Sequence, residues 1–344
     1  MLEYGFSDQF SIEGRLVGRD CPVYVIAEAG VAHFGSEEKA YRLVDLAADA
    51  GADAVKFQIF DVDALISNAL PDWRERLSDR QLPYEAFQRI QSYCRSKGIT
   101  FFATAHDEPS LQFLSTLDTP IYKVGSGEVG NWPFLRRVAS LGKPLIFSTG
   151  MFQRAQISEA LSVLRETGNP DIAVLHCVTR YPTPPEEVSL GNMLWIRENH
   201  RVITGYSDHT RGFHFPLAAA ALGARIIEKH ITLDYDVPNA QDWKVSCGPG
   251  DLGIFIQQLR EVEAGLDARP LGPTAGERDS LIWASKSLVP VRDLPAGSVL
   301  QASDLVGKRP GTGIPPSRLD EIIGKAIKVD LAKDQVIQWE HLLD

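Results

Sequence analysis

The chain has 344 residues, 44% hydrophobic and 23% charged, with a formal net charge of −10, a composition ordinary for a folded globular protein. The acidic balance argues against a general nucleic-acid surface and against anionic membrane, and no stretch reaches the roughly 18 apolar residues of a spanning helix. The N-terminal "MLEYGFSDQFSIEGRLVG" is mixed and acidic, unlike a secretory signal, and Cys21, Cys94, Cys177 and Cys247 form no CxxC pair, so a reduced, cytoplasmic protein is expected.

Along the chain, short β-rich runs alternate with longer stretches of helical period. "VYVIAEA" (23–29) comes first. The amphipathic "EKAYRLVDLAADAG" leads to "AVKFQI" (54–59), and "YEAFQRIQSYCRSKG" leads to "TFFATA" (100–105). Both amphipathic stretches end in glycine, as helix C-termini often do. Then follow "IYKVGS" (121–126), "LIFST" (145–149), "IAVLHC" (172–177), "VITGYS" (202–207) and "ARIIEKH" (224–230). Eight strands joined by crossovers of this length predict a parallel (β/α)8 TIM barrel over residues 1–262. A doubly wound open sheet is the alternative, but it usually carries a glycine-rich phosphate loop after its first strand. Here that place reads "EAGVAHFGS". The Gly-, Pro- and charge-rich "EAGLDARPLGPTAGERDS" (263–280) reads as a linker. Residues 281–344 have short β-type runs and turns, and predict a small β-rich domain.

In a barrel of this kind the chemistry collects at the C-terminal ends of the strands. There the sequence sets Glu28, Lys56 with Gln58, Thr104 with His106, Ser126 with Glu128, Ser148, Ser207 with His209, and Glu228 with His230. Strand alternation puts Lys56 and Gln58 on one face, and likewise Ser207 with His209 and Glu228 with His230. A single strand-end serine or histidine is ordinary turn chemistry; the coincidence across strands is not. His176, in "VLHC", reads as a structural core histidine, and His33, His200, His214 and His341 carry no signal alone.

Two imidazoles on adjacent strand ends suit a divalent metal with open positions. Lys56 and the small hydroxyls of Thr104, Ser126, Ser148 and Ser207 suit a phosphate or carboxylate. Glu28, Glu128 and Asp242 suit sugar hydroxyls or proton transfer. A metal, an anionic phosphate-bearing ligand and a polyol are thus expected in one mouth.

With these residues laid out, the chain resembles the sialic acid synthase family, which condenses phosphoenolpyruvate with an N-acetylated sugar. The matching stretches are "EAGVAHFGS", "AVKFQ", "YKVGSGEVGNWPFL", "GKPLIFSTGM", "LHCVTRYPTP", "GYSDHT", "EKHIT" and "DWKVS". The C-terminal "KSLVPVRDLPAGSVLQASDLVGKRPGTGI" is similar to the antifreeze-like (SAF) domain of these enzymes. The resemblance implies that His209 and His230 bind a divalent ion, manganese or else magnesium or cobalt. It implies that Lys56, Thr104, Lys123, Ser126, Ser148, Tyr181 and Ser207 hold phosphoenolpyruvate. Glu28, Gln58, Glu128 and Asp242 would face the sugar, with Glu28 or Glu128 handling protons. Alternation opposes Lys123 to Ser126, so its place depends on how "GSG" bends the strand. Arg309, in "KRPG", would enter the active site of the other subunit of a homodimer with exchanged C-terminal domains.

The chain departs from the family pattern at three points. Ala32 stands where the family usually has asparagine, Ala105-His106 replaces Pro-Phe, and Thr179 replaces an asparagine near the phosphoenolpyruvate site. The loop "PNAQDWKVS" is one residue longer than usual. A divergent branch is expected, such as the synthases of spore-coat polysaccharide clusters, with His106 contacting the acceptor sugar. The alternatives are a keto-octulosonate or keto-heptulosonate phosphate synthase, a catalytically silent carbohydrate-binding member of the fold, and a metal-dependent pyruvate aldolase. The first would lack the SAF domain, and the second would have no use for both histidines, Lys56 and Arg309.

Overall fold

The computed structural model describes residues 5–266 and 270–343, and the chain divides into two units, Met1–Asp267 and Ala268–Asp344. The first unit opens with a hairpin, β1 (Gln9–Ile12) and β2 (Arg15–Gly18). Gly18 has φ +134°, and a Cβ there would lie 2.2 Å from the Asp8 carbonyl oxygen, so the open end of the hairpin, where Gly18 pairs with Gln9, requires glycine.

Eight parallel strands follow: β3 (Tyr24–Gly30), β4 (Ala54–Ile59), β5 (Thr100–Ala105), β6 (Tyr122–Val124), β7 (Leu145–Ser148), β8 (Ile172–Cys177), β9 (Ile203–Asp208) and β10 (Ile226–His230). They pair in sequence order and β10 closes on β3, so the sheet is a barrel. The expected TIM barrel is the fold found. Its helices come from the stretches singled out in the sequence. Glu37–Asp49 starts where the Ser36 side chain accepts from the Lys39 N–H, and Tyr84–Lys97 ends at Gly98 with φ +70°.

Period-2 alternation divides every strand between two environments. Val25, Ala27, Val55, Phe57, Phe101, Ala103, Leu145, Phe147 and Val174 belong to the core beneath the helices. The opposite set, Tyr24, Ile26, Ala54, Phe102, Ile121, Ile146, Ala173, Leu175, Ile203 and Ile226, fills the barrel from its N-terminal end together with Phe10, Ile12 and Val17 of the hairpin. Continuing that inward set toward the C-terminal ends changes its character. The next inward residues are Glu28, Lys56, Thr104, Lys123, Ser148, Ser207 and Glu228. An apolar plug below and a polar chamber above are therefore two halves of the same side-chain rows.

Two details differ from the sequence reading. β6 ends at Val124 rather than 126, because Gly125 leads into a 3-10 turn, Ser126–Glu128. The stretch expected to be a linker is partly helical: a helix runs Leu252–Gly265, and a capped turn at Ala275–Glu277 opens the helix Arg278–Ala284. Residues 267–269 of that stretch lie outside the described residues. The second unit pairs β11 (Ser287–Pro290) with β12 (Leu305–Lys308) over its own core, which includes Leu288, Leu300, Ile314, Ile327 and Ile337. Among the described residues, no helix is long and apolar enough to cross a membrane.

Candidate active site

At the C-terminal end of the barrel a cavity of about 230 Å³ is lined by residues from all eight strands or the turns that follow them. Its floor is an ion-pair network. Lys56 Nζ lies 2.7 Å from Glu28 Oε2 and 3.6 Å from Glu228 Oε2, and donates to Thr104 Oγ1 at 3.2 Å. Lys123 Nζ donates to Ser148 Oγ at 2.6 Å and sits 3.7 Å from Glu228 Oε1, which accepts from Ser207 Oγ at 2.8 Å. Gln58 Nε2 donates to Glu28 Oε1 at 2.9 Å. Burial works against the charge on Lys56, but Glu228 and Glu28 outweigh it and raise its pKa. Burial lowers that of Lys123 and raises that of Glu28, while Lys123 and Lys56 together overcome burial at Glu228 and hold its carboxyl below the usual range. The floor thus carries two ammonium and two carboxyl groups, crowded enough for an incoming anion to re-partner the lysines.

The turn after β6 resolves the position of Lys123. Lys123 points inward from the strand, and the 3-10 turn swings Ser126 back toward the same cavity, where its Oγ accepts from the Gly150 N–H at 2.9 Å. Gly150 permits this closeness: a Cβ there would lie 2.2 Å from Thr179 Oγ1 and 2.8 Å from Ser126 Oγ.

The two histidines line the same cavity, His230 two residues beyond Glu228 and His209 two beyond Ser207. Their ring centroids are 5.2 Å apart. His209 Nδ1 donates to the Val178 carbonyl at 2.7 Å, which leaves the Nε2 lone pair toward Tyr181, whose hydroxyl donates to it at 2.8 Å. Such a backbone partner is the usual means of presenting the other ring nitrogen to a metal. Burial, with His209 nearby, lowers the pKa of His230 to about 3, so that imidazole is neutral. Burial works against the charge on His209, but Cys177 and the bond to Val178 outweigh it and raise its pKa to about 8, so a divalent ion would have to displace both a proton and the Tyr181 hydroxyl there; with that done, the two imidazoles fit a borderline divalent ion. Among the described residues no group of three or more His, Cys, Asp and Glu is arranged to hold a metal, so further positions would fall to substrate and water.

Of the residues singled out in the sequence, Glu28, Lys56, Gln58, Thr104, His106, Lys123, Ser126, Ser148, Tyr181, Ser207, His209 and His230 line this cavity. Glu128 and Asp242 do not line it. Glu128 accepts from Asn131 Nδ2 at 2.6 Å, and burial raises its pKa. Asp242 opens the 3-10 turn Asp242–Val245, near enough to act on the charge of His230. Arg309 belongs to the second unit, with its guanidinium carbon 5.5 Å from the Trp283 ring centroid. His176 is structural as expected, bonding the Val188 carbonyl at 2.7 Å. His106 is half-buried beside the two lysines, and burial, reinforced by Lys56 and Lys123, lowers its pKa to about 4.

Two lining residues with titratable side chains, Glu228 and Cys177, were given no role from the sequence. Glu228 was read only as sharing a face with His230, yet it is the carboxylate common to both lysines. Cys177 lies 3.7 Å from His209 Nδ1, and its inward parity with Ala173 and Leu175 on β8 was the available signal.

Residues 43–269 match the NeuB family, and residues 285–343 match the SAF domain. The chain is 36% identical to the N,N'-diacetyllegionaminic acid synthase of Campylobacter jejuni, over 91% of this chain and 98% of that protein. Among solved structures it is similar to the N-acetylneuraminic acid synthetase of Leptospira borgpetersenii, with TM-score 0.74 and 30% identity over 81% of this chain and 97% of that one. It is also similar to the spore coat polysaccharide biosynthesis protein spsE of Bacillus subtilis, with TM-score 0.69 and 32% identity over 98% and 99% of the two chains.

Proposed function

Because the chain belongs to the NeuB family, we propose that it condenses phosphoenolpyruvate with an open-chain N-acetylated amino sugar, giving a nonulosonic acid and phosphate. It is a carbon–carbon bond-forming transferase of the phosphoenolpyruvate-dependent kind; the acceptor, the metal and the residue roles are the proposal. The observation that carries the reading is the convergence of two buried lysines, a ring of hydroxyls and two metal-competent imidazoles in one small cavity.

Lys56 and Lys123, with Thr104, Ser126, Ser148 and Ser207, would hold the phosphate and carboxylate of phosphoenolpyruvate. The sugar would enter beside Glu28, Gln58 and His106. C3 of phosphoenolpyruvate attacks the C1 aldehyde carbon, forming the new bond, breaking the carbonyl π bond so that its oxygen carries negative charge, and leaving positive charge at C2. Water adds at C2 and loses a proton, and the tetrahedral centre then expels phosphate by cleavage of its C–O bond. Glu28, ion-paired with Lys56, would take that proton and return it to the former aldehyde oxygen, while the proton of the C2 hydroxyl leaves with the phosphate as the ketone forms. A divalent ion held by His209 and His230 would supply Lewis acidity to the aldehyde. Orientation and exclusion of water would supply much of the rest of the rate. The reading includes the exchanged-domain homodimer expected from the resemblance, with Arg309 serving the partner subunit's sugar, and a role in surface or spore-coat polysaccharide synthesis.

The test is phosphate release from phosphoenolpyruvate with Mn²⁺, scanning N-acetylmannosamine, di-N-acetylated dideoxyhexoses and phosphorylated sugars, with product mass recorded. Sugar-dependent phosphate and a nine-carbon keto acid are expected. Silence across the panel from folded, metal-loaded protein would overturn the reading.

His106 gives a sharper prediction. A neutral imidazole offers a sugar one donor and one acceptor, and losing such a bond is worth about 1 kcal/mol. His106→Phe is therefore expected to lower kcat/KM for the preferred acceptor by about fivefold to tenfold and to reorder the panel, with Mn²⁺ affinity unchanged. An unaltered acceptor profile would remove His106 from the sugar site.

A further inference from the structure

A cluster of like charges in the first unit lies at the other end of the barrel. A cavity of about 550 Å³ opens beside the N-terminal ends of β9 and β10, and four arginines line it, Arg19, Arg197, Arg201 and Arg225, against two acids, Asp8 and Glu198. In a chain of net charge −10, this is a local cationic focus. It is separate from the catalytic mouth: Ile203 on its wall and Ser207 in the mouth are four residues apart on β9, about 13 Å.

The backbone is shaped to keep these guanidiniums here. Arg197 Nη1 donates to the Leu222 carbonyl at 2.9 Å, and a Cβ on the neighbouring Gly223 would lie 2.5 Å from that nitrogen. Arg225 Nη1 donates to the Cys21 carbonyl at 3.2 Å. Each of these bonds fixes the side chain with one of its five N–H groups, and a guanidinium fork held in this way suits phosphate or carboxylate oxygens. Arg201 sits at φ 47° at the end of the helix Gly191–His200, in the left-handed position where glycine is the usual residue. The wall also holds a buried polar group: Thr204 is 2% exposed, and its hydroxyl finds no partner among the described residues. Capping of carbonyls uses one donor each on Arg197 and Arg225, and Arg19 Nη2 pairs with Asp8 Oδ1 at 3.3 Å; with four arginines against two acids the lining still carries an excess of two positive charges.

We propose that this cavity binds a small polyanion, a phosphate- or carboxylate-bearing metabolite up to nucleotide size, at a site distinct from the catalytic one. Its volume lies within the range of small-molecule sites. The full chain would be titrated calorimetrically with pyrophosphate, citrate and adenosine monophosphate, each with and without saturating phosphoenolpyruvate. At least one probe is expected to bind one per chain whether or not phosphoenolpyruvate is present, and which one binds identifies the anion's source. Arg197→Gln with Arg201→Gln should weaken that binding at least tenfold. Glu198→Gln, which removes a repelling charge, should tighten it severalfold, a gain that a damaged fold cannot produce. Binding that phosphoenolpyruvate abolishes for every probe, no binding at all, or affinities unmoved by these substitutions would overturn the proposal.

Discussion

Lys229→Met is expected to destabilise the barrel by about 3–5 kcal/mol, the cost of leaving one partner of a buried ion pair alone. Lys229 and Asp208 have no exposed side-chain surface, and Nζ lies 2.5 Å from Oδ2. Lys229 also donates to the Thr210 carbonyl at 2.8 Å, while Asp208 accepts from the Tyr206 hydroxyl at 2.9 Å and the Thr210 N–H at 3.1 Å. Every oxygen of the carboxylate is therefore committed, and without the ammonium its negative charge has nowhere to go. For a unit of this size each kcal/mol moves Tm by about 2–4 °C, so a fall of roughly 6–20 °C is expected by calorimetry. Lys229→Met combined with Asp208→Asn should recover much of the loss, because it removes both charges. A single substitution within about 2 °C of the parent would show that the pair is not what locks these strands. The pair sits directly behind His209 and His230, so it also fixes the strand ends that carry them.

That network was invisible in the sequence for a physical reason. "SDH" and "EKH" alternate inward and outward, and an outward Asp or Lys ordinarily meets solvent; here the two outward residues meet each other across β9 and β10 under cover. The barrel itself was legible because strand length, crossover length and helix termini are local properties. So was most of the mouth, since inward parity at a strand end is also local. Glu228 was not, because its partners come from β4 and β6 and only closure of the barrel brings them together. The Lys123–Ser126 conflict needed the 3-10 turn after Gly125 to dissolve it, and alternation alone does not foresee a turn. Glu128 and Asp242 lie in 3-10 turns beyond the strands, where parity says nothing: the turn that brings Ser126 to the cavity leaves Glu128 bonded to Asn131 outside its lining.

Lys56 is where stability and function can be separated by experiment. Lys56→Met leaves Glu28 and Glu228 buried with less compensation, and a cost of about 3–5 kcal/mol is expected. It also removes the cation proposed to hold phosphoenolpyruvate, so kcat/KM should fall by about 10²–10³, the usual size of losing one electrostatic contact to the reacting group. Either result alone is ambiguous, because an unstable enzyme is also a poor one. Lys56→Met with Glu28→Gln resolves it: the amide keeps a hydrogen-bonding side chain beside Gln58, only Glu228 then needs a counter-charge, and Lys123 Nζ at 3.7 Å supplies one. The double variant is expected to regain most of the lost Tm and none of the lost affinity for phosphoenolpyruvate, the readout to use here because Glu28 is itself the proposed base and its amide lowers kcat/KM whatever Lys56 does. Scanning calorimetry and titration with phosphoenolpyruvate on the same preparations decide the matter. If affinity returned together with stability, Lys56 would be a structural counter-ion, and the anion would have to be held by Lys123 and the hydroxyls alone.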